Sequence, residues 1–346
     1  MDTKELLLAF SALTGVSGTE TEAVNHACEL LSKFGETRIS PLGSVICAVR
    51  EPVRGKPHIM LDAHIDEIGM IVTFIEDNGF LCVGACGGVD RRVLLSSPVT
   101  VHAKSGAVNG VVCSIPPHLS KENDKNKTVD EIYIDIGASS RKKAERLVKP
   151  GDRVTLKSNP AELLNGLVSG KALDDRAGCV SILKALEYLG GDFSGCGLTV
   201  VFSSMEEIGG QGAKTAAYDV NPTHAVAVDM SFAFTPDSER KNCGELKKGP
   251  MIGFAPLLDH GLSGMMRRLA EKSGIPFQEE VMGGKTGTNA DWIATSRGGV
   301  KTALLSVPLK YMHTPVETVA VEDVENTAKL MATFVKNLAE EGSDYE

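Results

Sequence analysis

The feature that most constrains the fold is residues 200–210, VVFSSMEEIGG, in which an apolar run is followed by two adjacent acids and two glycines. A continuous run of this kind is typical of a strand that is covered on both faces. Charge is costly to bury without a partner, so Glu206 and Glu207 at the mouth of such a strand need an explanation. In isolation, the pair could simply lie in a solvated loop.

Length and composition allow a substantial core and exclude some partners. A chain of 346 residues could form one large α/β domain or two domains. Hydrophobic residues make up 42% and charged residues 23%, which is ordinary globular usage. The net charge of -9 offers no basic surplus to displace counterions, so we expect no nucleic-acid partner. No apolar run is long enough to cross a membrane, so we expect no membrane partner either.

The eight cysteines are scattered, and several lie inside apolar runs, where a free thiol packs as a small hydrophobic group. Cys82 and Cys86 could form half of a metal site, but no second Cys/His pair follows at zinc-finger spacing. This usage favours a reducing, cytoplasmic location. Asp2, Lys4 and Glu5 precede a short apolar run that fits an amphipathic helix better than a secretory signal.

Strand and helix patterns alternate at both ends of the chain and are separated by a β-rich segment. Apolar runs predict strands over 42–49, 58–63, 223–228 and 302–307. Between residues 70 and 158, short β-like runs over 70–75, 99–101, 110–115, 131–136 and 153–156 alternate with turns, which suggests a small barrel or sandwich. We therefore predict an α/β domain in two parts, residues 1–69 and 161–346, with residues 70–160 as an inserted β-barrel domain.

Several predicted strands lead into side chains that can bind metals. In open α/β sheets the functional crevice lies outside the carboxyl ends of the strands, so residues distant in sequence could meet there. A helix start adds one more candidate. The candidates are His64, Asp174, Glu206, Glu207, Asp229 and His313. Each candidate also has a simpler explanation. Asp174 or Asp175 could cap the helix. A single histidine is often just a satisfied polar residue, and Asp229 could end a strand in a turn.

This set of residue types suits two-metal chemistry. Two neighbouring divalent ions need a bridging carboxylate and further nitrogen or oxygen ligands. Histidines and carboxylates without a nearby cysteine favour zinc, cobalt or manganese. One acid must stay off the metals to take the proton from the bound water, and Glu206 and Glu207 allow that division. Asp66, two residues after His64, could orient the imidazole.

Four motifs stand out in the sequence. They are AHIDEIG at 63–69, KALDDR at 171–176, EEIG at 206–209 and YMHTPVE at 311–317, with GGVD at 87–90 as a further signature. Together, and in this order, they closely resemble the tetrahedral aminopeptidases, metallopeptidase family forty-two, members of which are also described as glutamyl or deblocking aminopeptidases and as cellulase M. The resemblance spans nearly the whole chain.

The resemblance implies a zinc-peptidase-like mixed sheet flanked by helices, and two divalent ions per subunit, Zn²⁺ or Co²⁺ with Mn²⁺ as a further option. Asp174 would bridge the ions, His64 and Asp229 would complete one site, and Glu207 and His313 the other.

The resemblance also implies roles for two acids that do not bind metal. Glu206 would be the general base that activates a metal-bridging water, and Asp66 would orient His64. The inserted barrel would be a PDZ-like dimerisation domain, and dimers would assemble into a tetrahedral homo-dodecamer that degrades short peptides from their N-termini.

Residues 287–291 differ from the family pattern, because Asn289 stands where the family has Asp, and Trp292 follows Asp291 where relatives often have a small residue. The side-chain preference for the N-terminal residue is therefore left open. There are two alternatives. One is a di-metal amidohydrolase acting on N-acylated amino acids or peptides, and the other is a catalytically inactive scaffold. A cellulase is disfavoured because glycosidases work with paired carboxylates and do not need the histidines.

Overall fold

The computed structural model describes residues 1–116, 118–119, 127–191 and 193–341. Within them, a mixed sheet is flanked by helices on both faces and a separate small barrel is inserted into the chain. The helices in chain order are α1 (Thr3–Ala12), α2 (Thr21–Leu31), α3 (Arg141–Ala144), α4 (Leu173–Leu189), α5 (Gln211–Val220), α6 (His260–Ser273), α7 (Ala290–Ala294) and α8 (Val321–Glu341).

The large sheet has a parallel centre with antiparallel strands on both sides. Its strands are β1 (Glu36–Ile39), β2 (Val45–Arg50), β3 (His58–His64), β12 (Gly197–Ser203), β13 (His224–Phe232), β14 (Met251–Phe254), β15 (Gln278–Val281) and β16 (Lys301–Leu309). Their spatial order is β1-β2-β12-β3-β13-β16-β14-β15, in which β12, β3, β13 and β16 run parallel to one another, while β2 and β14 run antiparallel to their neighbours β12 and β16. The carboxyl ends of the four parallel strands therefore meet at one edge, as the sequence predicted.

Both faces of the central strands are covered. All seven residues of β3 and of β12 are buried, which explains why their sequences read as continuous apolar runs. Side chains alternate between two layers, so that Leu61 packs into the core beneath α1, α4 and α8, while Met60 packs with α5 and α7. A mixed α/β fold is thus confirmed.

Six strands between Gly69 and Leu156 form the inserted barrel and close in the antiparallel order β4-β5-β8-β7-β6-β9 around a core of their own. The sequence predicted β-structure there but missed β5, whose run LCVGAC is interrupted by glycine. The strands are β4 (Gly69–Ile75), β5 (Leu81–Cys86), β6 (Pro98–Ala103), β7 (Gly106–Val112), β8 (Tyr133–Asp135) and β9 (Arg153–Leu156); β10 (Ala161–Leu163), β11 (Leu167–Gly170) and β17 (Glu317–Ala320) form a small separate sheet.

One predicted strand end was wrong. The sequence suggested that β13 stops at Val228, so that Asp229 would follow the strand. Pairing with β16 instead continues to Phe232, and Asp229 lies inside the strand opposite Ser306. The carboxylate is tolerated there because it faces the cavity described below. Within the part of the chain that the structure describes, no helix is long and apolar enough to cross a membrane.

A buried ion cluster ties the strand ends to the first helix. Arg176 is fully buried and donates to the carbonyl oxygens of Ile65, Phe10 and Leu13 at 3.1, 3.0 and 2.7 Å. Its guanidinium lies 3.4 Å from Glu67, which also accepts from Lys171 at 2.7 Å. Burial favours the neutral acid, but the two cations outweigh it and lower the pKa of Glu67. These motif residues therefore brace the fold beneath the cavity.

We expect Arg176→Met to destabilise the protein strongly, because it leaves buried carbonyls and part of Glu67 without a donor. Removing one member of a buried charge pair typically costs about 3–5 kcal/mol. The matched control is Arg38→Met, which breaks the exposed pair with Asp219 and should cost less than about 1 kcal/mol. Urea denaturation followed by circular dichroism gives both values, and equal costs would contradict the bracing role of Arg176.

Candidate active site

A cavity of about 1100 Å³ opens at the carboxyl edge of the parallel strands. Every metal-binding candidate from the sequence lies on its wall, although the residues come from four strands or strand ends and one helix start. The candidates that line it are His64, Asp174, Glu206, Glu207, Asp229 and His313.

Asp174 lies between the two histidines. Its Oδ1 is 3.2 Å from Nε2 of His64, and its Oδ2 is 3.5 Å from Nε2 of His313. Nε2 of His313 is also 3.4 Å from a carboxylate oxygen of Glu207. The N-cap position of α4 is Ala172, so no side chain caps the helix there, and the backbone dihedrals of Asp174 are not helical. Its carboxylate is therefore directed into the cluster, where each oxygen faces a different imidazole.

Two groups of side chains could each hold a cation. The donor atoms of His64, Asp174 and Glu207 lie within 4.8 Å of one another, as do those of His64, Asp175 and Asp229. The sequence had suggested only helix capping for Asp175. Its Oδ2 accepts from the backbone nitrogen of His64 at 3.0 Å, while its buried Oδ1 has no partner among the described residues.

Asp66 contacts the imidazole of His64 and the backbone of Glu206 and Glu207. Its Oδ1 lies 3.4 Å from Nδ1 of His64 and accepts from the backbone nitrogen of Glu206 at 3.0 Å. Its Oδ2 accepts from the hydroxyl of Ser17 at 2.6 Å and from the backbone nitrogen of Glu207 at 3.3 Å. One buried carboxylate thus fixes the imidazole and the loop that carries the acid pair.

Glu317 is a site residue to which the sequence analysis gave no role. Its two carboxylate oxygens accept from the backbone nitrogens of His313 at 2.8 Å and of Asp174 at 3.1 Å. It therefore fixes the spacing between two of the clustered side chains. The only available signal was its place in the YMHTPVE motif, four residues after His313.

The two adjacent glutamates differ in their surroundings. Glu207 faces His313, whereas Glu206 has no ion-pair partner within the described chain. Burial, reinforced by Glu207, Asp174 and Asp66, raises the pKa of Glu206 to about 7. A carboxyl group whose pKa lies near neutrality can exchange a proton near neutral pH.

The cluster carries more negative than positive groups. Burial and the nearby Asp229 raise the pKa of Asp175, as expected where like charges crowd together. Burial disfavours a charged imidazole at His313, but Asp174 and Glu207 outweigh it and raise its pKa to about 11. Buried acids in excess call for cations, and this donor set of imidazole and carboxylate groups suits divalent metals.

The loop over residues 283–292 is fixed by hydrogen bonds within itself and to the strands β3 and β12. Asn289 is buried below the cavity, and its amide nitrogen donates to Asp62 at 2.9 Å and to Ser203 at 2.8 Å. An amide at this position can donate to both oxygens, which an ionised aspartate could not. Asp291 accepts from the backbone nitrogens of Thr286 and Gly287, and Trp292 lines the cavity.

This α/β fold and its clustered histidines and acids define a hydrolase of the metallopeptidase class. Residues 43–330 match the family model described as M42 glutamyl aminopeptidase, so the chain belongs to that family. It is a peptide-hydrolysing aminopeptidase, and divalent metal ions are typical of the family.

Individual relatives agree with this assignment. A lysyl aminopeptidase of Pyrococcus furiosus is 33% identical over 96% of this chain and 97% of that protein. An aminopeptidase structure from Desulfurococcus kamchatkensis superimposes with a TM-score of 0.90 at 34% identity, covering 96% of this chain and 94% of that one. The Pyrococcus horikoshii TET1 peptidase, described as assembling into a tetrahedron or a large octahedral shell, gives 0.86 at 33% identity, covering 96% and 99%.

Gly88 provides a test of how closely the cluster is packed. Nδ1 of His313 lies 2.9 Å from the carbonyl oxygen of Gly88, and a Cβ on Gly88 would come within 2.7 Å of the same nitrogen. Gly88→Ala should push the imidazole from its place and lower peptide turnover about tenfold to a hundredfold, as small misplacements in active sites do.

The control is Gly298→Ala, because Gly298 has open space around it and an ordinary φ. Turnover of an aminoacyl fluorogenic substrate is measured for both variants, with circular dichroism to show that each is folded. A folded Gly88→Ala protein with wild-type turnover would show that His313 does not need this position.

Proposed function

We propose that the protein is a di-metal aminopeptidase that removes N-terminal residues from short peptides, with Glu206 as general base. The observation that carries the proposal is the position of Asp174, whose two oxygens face His64 and His313 separately. That geometry suits a carboxylate shared between two cations. The excess of buried acids and the unpartnered oxygen of Asp175 support it further.

The proposed ligands divide into two sets around Asp174. His64 and Asp229 would complete one site, and Glu207 and His313 the other, with Zn²⁺ or Co²⁺ as the favoured ions and Mn²⁺ as a third option. When bound, two such ions polarise the scissile carbonyl and lower the pKa of a coordinated water. Contacts within both sets are present, because His64 and Asp229 belong to one close group and Glu207 lies 3.4 Å from His313.

The chain's own residues account for proton transfer and positioning. Glu206 would accept a proton from the attacking water and pass it to the leaving amine, because its carboxyl group lines the cavity beside the proposed ligands. Asp66 would orient His64 through its Nδ1 and hold the Glu206–Glu207 backbone. Glu317 would keep His313 in register with Asp174.

We further propose a homo-oligomer in which residues 70–160 act as a PDZ-like dimerisation domain between the catalytic parts, 1–69 and 161–346. The similarity to the TET1 peptidase, described as assembling into a tetrahedron or a large octahedral shell, and to a related structure described as a dodecamer supports a tetrahedral dodecamer. Eight free cysteines support a cytoplasmic location. The aminopeptidase relatives give no support to the alternatives of an amidohydrolase or a catalytically inactive scaffold.

The role of Glu206 is tested by Glu206→Gln and Glu207→Gln, with the exposed Glu145→Gln as control. We expect Glu206→Gln to lose about 10²–10⁴-fold in kcat while it keeps its metal content, because only the proton carrier is removed. Glu207→Gln should lose one metal ion per subunit.

The measurements are turnover of fluorogenic aminoacyl substrates and metal content by mass spectrometry, before and after chelation and reloading. Glu145→Gln should match the wild type in both. Normal turnover by metal-loaded Glu206→Gln would refute its role, and activity that survives complete chelation would refute the metal mechanism.

A further inference from the structure

Glu280 places a carboxylate in the cavity wall, away from the proposed metal ligands. It lies in β15, next to the end of that strand, and lines the cavity. Its two oxygens accept hydrogen bonds from the hydroxyls of Ser231 and Ser306, the latter at 2.8 Å. Both serines are buried in the central strands β13 and β16, so the carboxylate is held by rigid elements and not by a loop.

This carboxylate has hydroxyl partners but no cation. Within the described residues, Glu280 forms no ion pair, whereas its neighbour Glu279 pairs with Arg267 at 3.3 Å on the opposite face of the strand. Two other charged side chains line the cavity outside the metal-binding candidates, and they differ from Glu280. The carboxylate of Asp291 accepts hydrogen bonds from Thr286 and Gly287 of its own loop. Lys285 is an exposed side chain in a glycine-rich turn. A half-buried carboxylate without a cation is a natural partner for a positively charged ligand.

The position of Glu280 relative to the proposed catalytic centre limits which charge it can meet. Ser231 lies two residues beyond Asp229 on the same face of β13, which is about 7 Å along a strand. Ser306 pairs with Asp229 across the sheet. An extended lysine stem of four methylenes spans a similar distance, and the apolar side chains of Phe232, Leu304 and Met282 line the same cavity.

We propose that Glu280 is the specificity-determining residue of this site and selects peptides whose N-terminal residue is basic, lysine or arginine. This inference rests on the proposed aminopeptidase function. The α-amine would bind beside the clustered carboxylates, the apolar wall would cover the methylene stem, and the ammonium or guanidinium would pair with the carboxylate that Ser231 and Ser306 hold.

The test compares lysyl, norleucyl and glutamyl derivatives of one fluorogenic amine with the metal-loaded protein. Norleucine keeps the length of the lysine stem and lacks the charge, so the lysyl-to-norleucyl ratio of kcat/KM isolates the ammonium. We expect the wild type to favour lysyl over norleucyl by about tenfold or more, and Glu280→Gln to lose most of that ratio. Using ratios corrects for any general loss of activity in the variant.

Glu279→Gln is the matched control, because it removes the same charge one residue away, outside the cavity. It should keep the wild-type ratio. A second measurement does not depend on turnover: calorimetric titration of Glu206→Gln with lysyl-alanine and norleucyl-alanine, with and without Glu280→Gln. The dipeptide preference should follow the same pattern.

Three results would overturn the inference while leaving the aminopeptidase function intact. These are a wild-type preference for glutamyl or norleucyl substrates, an unchanged ratio in Glu280→Gln, or an equal fall for all substrates, which would assign Glu280 to the α-amine. If the metal-loaded wild type cleaved none of the aminoacyl substrates, the proposed function would fail, and the inference with it.

Discussion

The site depends on one shared carboxylate. Asp174 holds its oxygens toward His64 on one side and His313 on the other, and further buried acids crowd around them. Because burial penalises each uncompensated charge, such a cluster is costly in a protein without cations. Two divalent ions would remove that penalty, and Asp174 would bridge them.

The rest of the fold holds the parts of this cluster in place. Parallel strands bring His64, Asp229 and the Glu206–Glu207 loop to one edge, and the buried Glu67–Arg176 pair braces the turns that follow His64 and Asp174. Asp66 and Glu317 then fix distances inside the cluster by accepting from backbone nitrogens. Supports of this kind fix the orientation of the side chains that would bind the ions.

The sequence predicted that these side chains lie together because most of them follow long, buried strands, whose pattern is the strongest local signal. It placed Asp229 beyond its strand, since a carboxylate inside a buried run looks like a strand end. It missed β5, where glycine weakens the strand pattern, and it gave no role to Glu317 or Glu280, because the partners of both lie far away in the chain. Nothing in the local sequence shows a hydrogen bond between Glu280 and Ser306.

Crystals of the zinc-loaded protein, measured at and below the zinc absorption edge, test the central claim most directly. The account predicts two anomalous peaks per subunit, about 3.5–4 Å apart, on either side of Asp174. One should contact His64 and Asp229 and the other Glu207 and His313, with Glu206 bound to neither. A single peak held by His64, Asp175 and Asp229, or a peak bound by Glu206, would contradict it.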